Sequence, residues 1–195
     1  MVEGAGVGPK IGVLALQGDF DAHRRAIERA GGEAVEVRTA AELEAVAGLI
    51  LPGGESTTML KLLHEEKLFE PLKEFGARKP IFGTCAGAIL LAKEVLNPRQ
   101  ESLGLMDATV ERNGYGRQID SRIVDIDLEG EPSEAVFIRA PIIRQVGPEA
   151  KVLGKYMEDP VLIEEGRHLA ATFHPELGRD VRIHRRFVEK VKRAA

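Results

Sequence analysis

Pro80-Ile81-Phe82-Gly83-Thr84-Cys85-Ala86-Gly87-Ala88-Ile89-Leu90-Leu91-Ala92 contains the single cysteine of a 195-residue chain. An apolar run enters a Gly-x-Cys-x-Gly turn, and an Ala/Leu-rich segment leaves it. That is the pattern of a nucleophile elbow, a sharp strand-to-helix turn that lifts one side chain above the end of a sheet strand. Small flanking residues suit it, because neighbouring backbone crowds the turn. A thiol placed there sits at a helix N-terminus, where its pKa drops from ~8.5 into the range ~3.5–7.5.

Outward from this turn, strand and helix alternate. Lys10 to Leu16 reads as a strand buried on both faces, and Asp19 caps a helix carrying Ala22, Ala26, Ile27 and Ala30. Gly31-Gly32 stop that helix. Ala34 to Val37 and Leu49 to Leu51 are further strands, with a short Thr39-capped helix between them. Pro52-Gly53-Gly54 halts the third strand, and helices follow from Ser56 towards Glu66 and from Phe69 to Phe75. Such βαβ alternation implies a parallel sheet covered by helices on both faces. From Leu105 to Thr172 the pattern changes to short strand-like runs with few helical signals, which implies antiparallel additions and one strand returning to the main sheet. The chain ends in an amphipathic helix, Asp180 to Arg193, with Val181, His184, Phe187, Val188 and Val191 on one face.

The totals fit one domain over residues 10–195, preceded by a loose Gly-rich tail at residues 1–9. A net charge of −4 argues against nucleic acid as a main partner. No apolar run reaches the ~18 residues that span a bilayer. A lone cysteine and the absence of a signal-peptide pattern make the cytoplasm the default address.

A thiolate that attacks a carbonyl needs a base and an oxyanion site. Of the five histidines, His23 and His64 lie mid-helix among charged neighbours and His184 lies on the last helix; all three read as surface or packing residues. His168 follows a turn without an evident partner. His174 stands apart, in Thr172-Phe173-His174-Pro175-Glu176-Leu177, directly after an apolar strand. Parallel-sheet enzymes place their chemistry at such strand ends. Pro175 keeps His174 out of the helical region, and Glu176 can turn back to orient the imidazole as the third member of a triad. The backbone N–H of Ala86 is one oxyanion donor, and the loop Pro52-Gly53-Gly54-Glu55-Ser56 is the candidate for the second, at Gly54.

These three segments together resemble the class I, triad-type glutamine amidotransferases. More narrowly the chain resembles the PdxT/SNO family, the glutaminase subunits of pyridoxal 5′-phosphate synthase. Val13-Leu14-Ala15-Leu16-Gln17-Gly18, Val110-Glu111-Arg112-Asn113-Gly114-Tyr115-Gly116-Arg117-Gln118 and Val136-Phe137-Ile138-Arg139-Ala140-Pro141 carry the narrower likeness. The resemblance implies an α/β fold, a three-layer sandwich with a mainly parallel central sheet, helices on both faces and a small antiparallel addition. It implies hydrolysis of L-glutamine to glutamate and ammonia through a thioester on Cys85, with His174 as base and acid and Glu176 orienting it. Gly53, Gly54, Glu55, Arg112, Ile138 and Arg139 would hold the substrate, and Gln17 would touch both the oxyanion loop and a partner. That partner would be a synthase subunit of the PdxS/SNZ type in a large hetero-oligomer, which makes pyridoxal phosphate from ribose 5-phosphate and glyceraldehyde 3-phosphate. No cofactor and no metal is implied. The glutaminase of another biosynthetic amidotransferase, such as imidazole glycerol phosphate synthase, and a non-catalytic regulatory module of the same fold remain alternatives.

Overall fold

The computed structural model describes residues 8–113 and 121–195. Gly114-Tyr115-Gly116-Arg117-Gln118, quoted above for the family likeness, and residues 1–7 of the expected tail lie outside that range. Pro9 already belongs to the sheet layer, since its carbonyl accepts a hydrogen bond from the Glu33 amide at 3.0 Å.

One nine-stranded sheet organises the molecule. Lys10–Leu14 (β1), Glu33–Val37 (β2), Gly48–Leu51 (β3), Ile81–Thr84 (β4) and His168–Ala171 (β12) form its parallel half, in the order β2-β1-β3-β4-β12. Asp159–Glu165 (β11), Lys151–Tyr156 (β10), Arg122–Leu128 (β7) and Glu131–Phe137 (β8) continue from β12 as an antiparallel half. Strand β12 is the returning strand, inserted beside β4 long after it in sequence. A separate three-stranded sheet joins Ala92–Leu96 (β5), Met106–Glu111 (β6) and Ile142–Val146 (β9). The additions are therefore two: an antiparallel extension of the main sheet, and this small second sheet, in which β5 runs parallel and β9 antiparallel to β6. Strands β5 and β9 have no counterpart among the expected elements; Ala92–Leu96 continues directly from the helix that precedes it.

Strand periodicity accounts for the layering. Alternate residues of β1, β3 and β4 point to opposite faces. Leu14, Leu49, Leu51 and Ile81 enter one apolar cluster with Met59, Leu63 and Phe75, from the helices Ser56–Glu65 (α3) and Phe69–Arg78 (α4). Ile11, Val13, Ile50 and Phe82 enter the other, with Ile27 from Phe20–Arg29 (α1) and Phe187, Val188 and Val191 from Arg182–Ala194 (α6). Ala40–Glu44 (α2) opens with a capping box in which Thr39 and Glu42 bond reciprocally. Asp19 caps α1 through the Ala22 amide, as its position just ahead of the helix requires. The last helix starts two residues later than expected, with Asp180 accepting from the Arg182 amide at 2.9 Å.

Candidate active site

Cys85 joins sheet to helix in a single residue. Its amide pairs with the Ala171 carbonyl of β12 at 2.8 Å, while its carbonyl accepts from Ile89 in the helix Ala86–Leu91 (α5) at 3.2 Å. Making both bonds forces φ 51° and ψ −106°. A side chain held in such a region costs on the order of 1–3 kcal/mol, sustained only where the surroundings over-determine it. They do here: Gly83 and Gly87 are packed so closely against each other and against Leu51 that neither has room for a Cβ. The elbow exists as expected, and its thiol is 7% exposed at the C-terminal end of β4.

His174 arrives from the neighbouring strand. Its amide is pinned to the Val136 carbonyl of β8 at 2.8 Å, and Pro175 then opens a 3-10 turn over Pro175–Leu177. That turn swings Glu176 back so that its Oε1 lies 2.6 Å from His174 Nδ1. The histidine and the carboxylate are both buried. Burial alone lowers an imidazole's pKa. Here polar contact with Cys85, the hydrogen bond to Glu176 and the negative charge of both outweigh burial and push His174 up to about 10.

The loop after β3 closes the third side. A Cβ on Gly53 would stand 2.5 Å from His174 Cε1 and 3.4 Å from Cys85 Cβ, so glycine is what lets this backbone lie against the pair. Gly54 has φ 144°, outside the range of other residues, and Gln17 packs on it, donating from Nε2 to the Glu55 carbonyl at 2.8 Å. Gln17 therefore touches this loop as expected. Glu55 caps α3, accepting from the Thr57 amide at 3.0 Å and from the Thr58 amide at 2.7 Å. Burial favours its neutral form, but the bonds from Thr58 and Thr57 prevail and hold its pKa below the usual carboxylate value. Arg112 reaches the same carboxylate at 3.4 Å and the Thr57 hydroxyl at 2.8 Å.

Cys85, Gly53, Gly54, Glu55, Arg112 and Arg139 all line one cleft of about 400 Å³, with His174, Glu176 and Ile138 on its wall. Arg139 has φ 43° just after β8, and the Ile138 carbonyl faces the Cys85 sulfur at 3.9 Å. Ala86, at 1% exposure, follows the sulfur as the first residue of α5. Every expected site residue is thus in or beside this cleft. In chemical terms it offers a thiol, a paired imidazole and carboxylate, and glycine backbone beside the sulfur, the parts list of acyl transfer.

Two histidines read above as surface or packing residues lie beneath the cleft. His23 and His184 are 0% and 1% exposed. His23 Nδ1 meets His184 Nε2 at 3.0 Å, and His23 Nε2 lies 3.1 Å from Thr84 Oγ1 and 3.4 Å from Glu176 Oε2. The signal was in the spacing. His23, Ala26, Ile27 and Ala30 fall at i, i+3, i+4 and i+7, as do His184, Phe187, Val188 and Val191, so each histidine heads an apolar stripe. His168 corrects the expectation that it lacks a partner: it is buried and its Nδ1 accepts from the Ile81 amide at 3.1 Å. His64 is exposed beside Glu101.

A family model described as the SNO glutamine amidotransferase family matches residues 13–193. The chain belongs to that family. It is 60% identical over 190 residues to "Pyridoxal 5'-phosphate synthase subunit PdxT" of Solibacter usitatus (strain Ellin6076), covering 93% of this chain and 99% of that one. It is 54% identical to the protein of the same name from Koribacter versatilis (strain Ellin345), covering 94% and 96%. A solved structure described as "Crystal structure of glutamine amidotransferase" superposes with a TM-score of 0.87 at 47% identity, covering 93% of this chain and 98% of that one. The family's fold is the one seen here, an α/β sandwich about a mixed sheet. Among the described residues, no helix is long and apolar enough to cross a membrane.

Proposed function

We propose that this chain is the glutaminase subunit of a pyridoxal 5′-phosphate synthase, acting as one catalytic unit over residues 10–195. It hydrolyses L-glutamine to L-glutamate and ammonia. The observation that carries the reading is the 2.6 Å bond between His174 and Glu176, set in one cleft with the strained elbow of Cys85. The sulfur of Cys85 attacks the side-chain amide carbon, and the resulting oxyanion is received by backbone N–H groups at Ala86 and Gly54. His174 gives its proton to the departing ammonia. It then takes one from the water that cleaves the γ-glutamyl thioester, releasing glutamate. Glu176 holds the ring in the orientation both steps require.

Glu55 and Arg112 suit the two ends of the amino acid. The ionised Glu55 carboxylate receives the α-ammonium, and a guanidinium, Arg112 or Arg139, receives the α-carboxylate. Gly53 and the Ile138 backbone form the walls between them. Ammonia passes to a synthase subunit of the PdxS/SNZ type within a hetero-oligomer, and Gln17 links the Gly54 loop to that docking. A reducing cytoplasm suits a reaction that depends on a free thiol. Glutamate is measured from glutamine with and without the synthase subunit. Formation that rises on adding the subunit and disappears in Cys85→Ser supports the reading. Formation indifferent to the subunit points to another biosynthetic amidotransferase, and none in either mixture overturns it.

A further inference from the structure

Beneath the cleft, four buried side chains from four elements meet with two polar atoms unaccounted for. Glu176 spends Oε1 on His174, but its Oε2 has no hydrogen bond of good geometry although it is out of contact with water. The Nδ1 of His184 is likewise buried and unpartnered. Between these two atoms stands His23, on α1, with Nε2 3.4 Å from Glu176 Oε2 and Nδ1 3.0 Å from His184 Nε2. Both ring nitrogens of His23 are thus committed, and a neutral ring has one proton to place.

The two orphan atoms decide where it goes. A proton on His23 Nδ1 would donate to His184 Nε2 and would leave His184 with a buried, unpaired Nδ1–H. It would also turn the bare lone pair of His23 Nε2 towards a carboxylate oxygen. Burying unpaired donors and opposed lone pairs is costly. A proton on His23 Nε2 removes both faults: His184 Nε2–H donates to His23 Nδ1, and His23 Nε2–H faces Glu176 Oε2, shared with Thr84 Oγ1 at 3.1 Å. We propose that His23 is a positioning residue for the reaction, its Nε2–H holding the Glu176 carboxylate against His174, with His184 fixing the tautomer that makes this possible. The inference rests on the functional reading above and adds a fourth and a fifth residue behind the triad. Burial, then the nearby imidazoles, keeps His23 far below the ordinary histidine value; burial, then Arg29, lowers His184 to about 3, so both rings are neutral under working conditions. The groups facing His23 are His184 from α6, Glu176 from the 3-10 turn and Thr84 from β4, with His174 one step further through the carboxylate.

Ring-15N histidine NMR on the intact chain, in parallel with kinetics of the chain bound to its synthase subunit, tests this. His23 is expected as the Nε2–H tautomer; an Nδ1–H tautomer overturns the proposal without any variant. In His23→Leu, kcat is expected to fall about ten- to hundredfold with KM little changed, the effect of leaving a buried carboxylate oxygen without the N–H that faces it. The His174 titration moves down from about 10 in the same variant, because its carboxylate partner is no longer held. His23→Gln, whose amide N–H can reach the same oxygen, is expected to recover most of both. A His23→Leu chain that keeps the wild-type His174 titration and the wild-type kcat per alkylatable Cys85 overturns the assignment. The NMR arms need no turnover, so they judge the inference even where the wild-type complex makes no glutamate, the result that counts against the functional reading instead.

Discussion

The two halves of the main sheet are built differently. In the parallel half, β3, β4 and β12 are buried along their whole length, clamped between α3–α5 on one face and α1 and α6 on the other. In the antiparallel half, β7 and β8 alternate between buried and exposed, and Ile123 is 67% exposed. The strained thiol, the imidazole and the glycine loop all issue from the C-terminal ends of the first half. The second half contributes a rim, Ile138 and Arg139, and one anchoring bond, from the His174 amide to Val136. A nucleophile held off its preferred backbone conformation needs a scaffold that cannot relax, whereas a substrate rim can sit on a sheet that is wet on one side.

The largest expected effect tests that contrast at its root. Phe82→Ala removes a fully buried ring directly before the elbow and should destabilise the fold by about 3–5 kcal/mol, measured by denaturant unfolding. A loss under about 1 kcal/mol would break the claim that the parallel half is a rigid clamp. Next comes Gly53→Ala, whose methyl would stand 2.5 Å from His174 Cε1. Glutamate formation by the complex is expected to drop roughly a hundredfold while the unfolding midpoint stays near wild type, since displacing a reacting group by about 1 Å costs that much.

A smaller effect concerns pH. The unfolded chain takes up protons near pH 6.5, but burial, then the charge of Arg167, keeps folded His168 neutral down to about 4, and burial, then Arg29, keeps His184 neutral to about 3. Stability supplied by these two is present above pH 6.5 and is lost as pH falls through that window. His174 leans the other way, with a folded value of about 10; its contribution is whole below pH 6.5 and is lost as pH rises towards 10. Unfolding free energy followed from pH 4 to 10 should therefore pass through a maximum near neutrality, and His174→Ala should flatten only the alkaline limb. The smallest effect is on the rim side: Ile123→Lys should change stability by less than about 0.5 kcal/mol, and a larger loss would mean that β7 is not the wet strand described here.

Much of this is legible in the sequence. The elbow declares itself because Gly83, Cys85 and Gly87 leave one backbone solution, and His174-Pro175-Glu176 declares itself because proline dictates the turn that brings carboxylate to imidazole. What stayed hidden is non-local. Asp21, Arg24 and Arg25 beside His23 make that stretch of α1 read as surface, and only the packing of α1 against α6 and the 3-10 turn buries the histidine under Glu176. Glu55 as the cap of α3 was missed for a related reason, since a glutamate before a helix is a weaker capping signal than serine or aspartate. Strands β5 and β9 depend on each other through β6, and neither carries enough alternation to be recognised alone.

The central claim is that Cys85 is the nucleophile, activated by the His174–Glu176 pair. It is tested most directly by incubating the chain, with its synthase subunit, with an electrophilic chloroketone analogue of glutamine and mapping the adduct by peptide mass spectrometry. The account predicts one equivalent of label on Cys85, slowed at least tenfold in His174→Ala. Label on any other residue, or labelling of Cys85 at an unchanged rate without His174, would contradict it.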